Sequence, residues 1–133
     1  MVKTALFPGM LAALLLFGNA QASDVKILTA DFRLDSKNVW TVSVTLHHAD
    51  SGWDHYANIW RIVDKKGNIL GERVLLHPHL YEQPFTRSQS GIFIPEDEPI
   101  VYIEAHDLLH GWSTQRQEVN LGDAVQGRIN VNF

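Results

Sequence analysis

Val39-Trp-Thr-Val-Ser-Val-Thr-Leu46 alternates without interruption: Trp40, Val42, Val44 and Leu46 share one face, and Thr41, Ser43 and Thr45 share the other. Successive strand side chains point to opposite faces, so this pattern predicts a strand with one face on a core and one toward water. Working outward, residues 25–34 read as a first strand, ended by Asp35-Ser-Lys-Asn38. Residues 56–63 are apolar on both faces, which predicts a central strand. Asp64-Lys-Lys-Gly-Asn68 reads as a hairpin turn, because Gly and Asn tolerate positive φ. Further strands are expected over 69–76, 84–94, 100–105 and 115–121, with a short terminal one over 128–133. Turn signals recur roughly every 10 residues and no helical period is sustained. The expected fold is all-β: a single antiparallel β-sandwich, immunoglobulin-like or fibronectin-like, of seven or eight strands.

The first 22 residues read differently. Lys3 supplies a positive start, Met10 to Phe17 is apolar but too short to span a bilayer, and Ala20-Gln-Ala22 fits a signal-peptidase site. The expected organisation is a signal peptide over 1–22 and one β-sandwich domain over 23–133, in a periplasmic or secreted protein. Without a cysteine at the cut no lipid anchor is expected, and no later segment is apolar enough to hold the chain in a membrane. The 133 residues include no cysteine, and both methionines, Met1 and Met10, precede the cut. The exported domain therefore carries no sulfur ligand and must hold by packing alone. Loss of Lys3 leaves ten basic residues against 15 acidic ones. That balance argues against nucleic acid and anionic lipid as partners.

The seven histidines are His47, His48, His55, His77, His79, His106 and His110. They fall in or beside the breaks near 48–55, 77–84 and 106–112, whereas the breaks near 35–38, 64–68 and 95–99 have none. In an antiparallel meander alternate connections lie at the same end, so the histidines should gather at one pole. His77-Pro78-His79 is the sharpest local pattern, since residues i and i+2 of an extended chain share a face about 6.6 Å apart. His48 continues the inward face of Trp40 to Leu46. The predicted metal ligands are His48, His55, His77, His79, Glu82 and His110. Asp50 and Asp107 read instead as ordinary turn residues. Nitrogen and oxygen donors without sulfur suit Cu²⁺ or Zn²⁺.

The run HPHLYEQPFTRS over 77–88, with GWDHY before it and AHDLLHGW over 105–112, resembles an uncharacterised family of small exported bacterial proteins carrying an HPHxxEQPFTRS-type motif. The resemblance spans roughly residues 47–112. It implies export and one small domain, and it carries no activity.

No motif of a known enzyme class occurs, so catalysis is not expected; a metal-dependent hydrolase with Glu82 as base is the minor alternative. Trp53, Tyr56, Tyr81 and Trp112 crowd the same pole. They predict a second reading, a non-catalytic module that recognises a protein or a glycan through its aromatic loops.

Overall fold

The computed structural model describes residues 25–133. The signal-peptide reading of 1–22 and its cut after Ala22 lie outside the described residues. Nine strands form two antiparallel sheets packed as a β-sandwich: β1 (Lys26–Ser36), β2 (Val39–His47), β3 (Ala57–Val63), β4 (Ile69–Val74), β5 (Phe85–Phe93), β6 (Ile100–Asp107), β7 (Gly111–Trp112), β8 (Gln117–Asn120) and β9 (Arg128–Asn132). One sheet has the order β5-β2-β1-β9; the other has β4-β3-β6-β7, with β8 also paired to β6.

The alternation of 39–46 is realised as read. Trp40, Val42, Val44 and Leu46 are buried, and Phe32, Trp60, Ile62, Ile92 and Ile103 pack with them. Each such side chain contributes about 1.5–3 kcal/mol of burial. On the outer face the hydroxyls of Ser43 and Thr45 meet those of Ser88 and Thr86 across the β2–β5 ladder, at 2.6 and 2.7 Å. β3 lies between β4 and β6, as its two apolar faces predicted. Beside it β4 and β5, from different sheets, meet so closely that a methyl on Gly71 would come within 2.7 Å of Ile92.

Among the described residues the strands number nine, against the expected seven or eight. The addition is β7, whose two residues are too few to show any period. β4 ends at Val74, two residues short of the sequence reading, although the Leu75 amide still bonds the Asn58 carbonyl opposite it on β3. β6 continues to Asp107, two residues beyond the sequence reading.

The connections alternate as expected. Residues 37–38, 64–68 and 94–99 turn at one end, and 48–56, 75–84 and 108–110 at the other. Asn38 and Gly67 have φ of 62° and 83° at the first end, which explains the residue types there.

Candidate metal centre

Two strands aim polar side chains into the core at the histidine pole. β2 carries its inward face one step past Leu46 to His48, which is buried. β6 carries the inward face of Val101, Ile103 and Ala105 to Asp107, also buried. The strands belong to opposite sheets, so an imidazole and a carboxylate meet across the sandwich.

Asp107 divides its two oxygens. Oδ1 accepts the backbone N–H groups of Leu109 and His110 at 2.6 and 3.1 Å, which closes the tight turn into β7. Oδ2 faces three imidazoles: His48 Nε2 at 2.6 Å, His55 Nε2 at 2.7 Å and His110 Nδ1 at 3.2 Å. Burial works to raise the Asp107 carboxyl, but the Leu109 and His110 amides and the His110 and His55 rings outweigh it and hold it down to about 2. His55 and His110 lie toward solvent, so the centre opens on that side.

The outer nitrogens of two of these rings are engaged as well. His48 Nδ1 lies 2.6 Å from Asp50 Oδ1, and His55 Nδ1 lies 3.3 Å from Ser51 Oγ. The turn 51–55 brings Ser51 and His55 together through a 2.9 Å bond from the Ser51 amide to the His55 carbonyl. Asp50 is a second node, its side chain fully buried. Its Oδ1 also accepts the Ala57 amide at 3.1 Å, and its Oδ2 accepts the His79 amide at 2.7 Å. Gln83 ties the loops together: it accepts the His48 amide at 3.1 Å and donates to the His79 carbonyl at 2.9 Å.

The six residues singled out in the sequence separate. His48, His55 and His110 converge on Asp107. His79 is buried on the far side of Asp50, stacked on Phe85 at 3.8 Å, with Arg87 Nη2 3.0 Å from its Nε2. Burial, then Arg87 and His77, pull the His79 imidazole below its ordinary value, while Asp50 and Glu82 pull the other way. His77 is exposed, its ring 4.6 Å from that of His79 and its Nδ1 3.0 Å from the Pro78 carbonyl. Glu82 is exposed in the same loop.

Asp107 and Asp50, read from the sequence as turn residues, are the two acceptors on which the pole is built. The turn reading holds for one oxygen of Asp107 and misses the other. A signal was present: extending the alternation of Val101, Ile103 and Ala105 by one step puts Asp107 inside. His106 takes the outward direction instead, 2.6 Å from Asn58 and edge-on to Trp112. The aromatics divide too. Tyr81 and Trp53 are 100% and 67% exposed, and Tyr56 packs edge-on to Trp53. Trp112 lies on the outer face of its sheet under the Arg61 guanidinium, 3.5 Å away.

Over 78 residues, 59% of its length, the chain is 44% identical to a protein of Halomicrobium mukohataei named "Putative lipoprotein". The match spans 38% of that relative's length. No protein-family profile matches the chain, and no solved structure does. Among the described residues no helix is long and apolar enough to cross a membrane.

Proposed function

We propose that this is an exported protein that binds one divalent transition ion, Cu²⁺ or Zn²⁺, through His48, His55, His110 and Asp107. The observation that carries the reading is the convergence of three imidazole nitrogens on Asp107 Oδ2, within 3.2 Å of it. His48, His55 and Asp107 alone offer three donor atoms within 4.8 Å of one another. The outer contacts support the same reading. Metal-bound imidazoles characteristically donate their second N–H to a carboxylate or another acceptor, as His48 can to Asp50 and His55 to Ser51. Asp107 Oδ1 is occupied by backbone amides, which leaves Oδ2 to bind through one oxygen.

The fit requires a small expansion. Bonds of about 2.0–2.1 Å to a tetrahedral ion separate donors by about 3.3 Å. The nitrogen-to-oxygen distances of 2.6 Å at His48, 2.7 Å at His55 and 3.2 Å at His110 must therefore open by about 0.7, 0.6 and 0.1 Å. The absence of sulfur selects borderline Zn²⁺ and Cu²⁺ over Cu⁺.

Export rests on the leader-like residues 1–22 and on the likeness to a relative named as a lipoprotein. Mass spectrometry of the protein recovered from cells tests it, with Ser23 expected at the N-terminus. Isothermal titration of the exported chain with Cu²⁺ and Zn²⁺ tests the centre: one ion per chain is expected, and none for Asp107→Ala. Equal binding by wild type and variant would sink the proposal.

A second reading keeps the exposed Trp53 and Tyr81 as a surface for a protein or glycan partner. It is favoured by the exposure of Leu76 and Leu109, 74% and 64%, at the same pole. Trp53→Ser with Tyr81→Ser should leave ion binding intact.

A further inference from the structure

His79 is 3% exposed, and its Nδ1 has no hydrogen-bond partner among the described residues. The acceptor it faces is Asp50 Oδ2, 3.8 Å away. Its other nitrogen settles the proton. A guanidinium offers only donors and keeps its protons. Nε2, 3.0 Å from Arg87 Nη2, must therefore accept, and the proton of the neutral ring sits on Nδ1.

The ring is held in place as well. It lies parallel to Phe85, with an interplanar angle of 9°. Its backbone amide is bound to Asp50, and its carbonyl to Gln83. The result is a buried ring N–H held 3.8 Å from the carboxylate whose other oxygen meets His48, an electrostatic contact longer than a hydrogen bond. The same arrangement removes His79 from competition as a ligand, because the Nε2 lone pair is taken by Arg87 and Nδ1 carries the proton.

We propose that His79 is a positioning residue of the ion centre: Arg87 fixes its Nδ1–H tautomer, and that N–H steadies Asp50 from the side opposite His48. The inference rests on the metal reading above. With an ion bound, His48 gives its Nε2 lone pair to the metal and its Nδ1–H to Asp50. The direction of that lone pair is then only as well defined as the Asp50 carboxylate. On its far side the carboxylate is bonded by the His79 amide at 2.7 Å and faces the positive end of the His79 ring N–H at 3.8 Å. Outer contacts of this kind typically change metal affinity by about 10- to 100-fold.

Nitrogen-15 NMR of the histidine rings in the metal-free protein reads the tautomer directly. The Nδ1–H form is expected for His79, and an Nε2–H form would overturn the proposal. Cu²⁺ titration and electron paramagnetic resonance then read the positioning. His79→Phe keeps a flat ring against Phe85 and removes the N–H. Its Cu²⁺ affinity should fall about tenfold, with a changed copper spectrum. His79→Asn restores an N–H at the δ position and should recover most of the affinity and the wild-type spectrum. Thermal melts of the metal-free variants show that each is folded. His79→Phe binding like wild type, or His79→Asn binding no better than His79→Phe, overturns this inference alone. A wild-type chain that takes up neither Cu²⁺ nor Zn²⁺ overturns the metal reading with it.

Discussion

Asp64 and Asp107 are both buried aspartates that close tight turns, at opposite poles of the sandwich. Asp64 is satisfied within five residues: Oδ1 accepts the Lys66 and Asn68 amides at 2.8 and 2.9 Å, and Oδ2 accepts the Asn68 side chain at 2.9 Å. Asp107 closes its turn with one oxygen in the same way. Its second oxygen meets histidines 59 and 52 positions away as well as the nearby His110. One carboxylate serves its own turn, while the other draws two further segments of chain together. The second oxygen of Asp107 is filled by His48, His55 and His110, whereas Asn68 fills that of Asp64 within its own turn.

Breaking this difference should have its largest effect at Asp107. Asp107→Ala strands His48 in the core and should cost the metal-free protein about 3–5 kcal/mol, together with all ion binding. Asp64→Ala should cost about 1–2 kcal/mol and leave ion binding unchanged. Urea unfolding and metal titration of the two variants make the comparison. Equal losses of stability, or retained binding in Asp107→Ala, would dissolve it.

Acid sharpens the contrast. The folded Asp107 carboxyl lies below its ordinary value of 3.8, at about 2. A depressed carboxyl stabilises the fold above its unfolded value, and that stability is lost as pH falls through the folded one. Metal-free protein should therefore lose about 2 kcal/mol between about pH 4 and pH 2 through this residue. Asp107→Asn should flatten that part of the stability curve. Asp64 is also held below its ordinary value, chiefly by the Asn68 side chain, so Asp64→Asn should change the same window and leave the Asp107 contribution in place.

Ion binding itself should fail at higher pH than either effect. Protons compete with the ion for imidazole nitrogen, so Cu²⁺ affinity should decline as pH falls. Titrations at pH 7.5, 6.5 and 5.5 read this, and a flat profile would point away from imidazole ligation. Ser51→Ala should have the smallest effect, a few-fold loss of affinity with stability nearly unchanged, because the Ser51 contact to His55 is long and exposed. A loss as large as that of Asp107→Ala would mean that Ser51 belongs to the centre itself.

Much was legible before any coordinate. Period-two alternation determined the strands and the inward faces, including that of His48. Antiparallel alternation determined that His48, His55, His77 and His110 share a pole. Composition determined the kind of donor on offer, since residues 23–133 hold no sulfur. The partners were a different matter. Alternation says that a side chain points inward, but not what it meets, because the alignment of one sheet over the other follows from packing of the whole core. That alignment seated Asp107 opposite His48. The His77-Pro78-His79 pattern set two rings 4.6 Å apart but did not carry them to Asp107. Its spacing argument assumes an extended chain, whereas residues 75–84 form no strand and are shaped by Asp50, Gln83 and Phe85, which come from elsewhere in the fold or from the far end of the loop. Local sequence determines the direction of a side chain wherever the backbone is periodic. Where it is not, only the tertiary contacts decide.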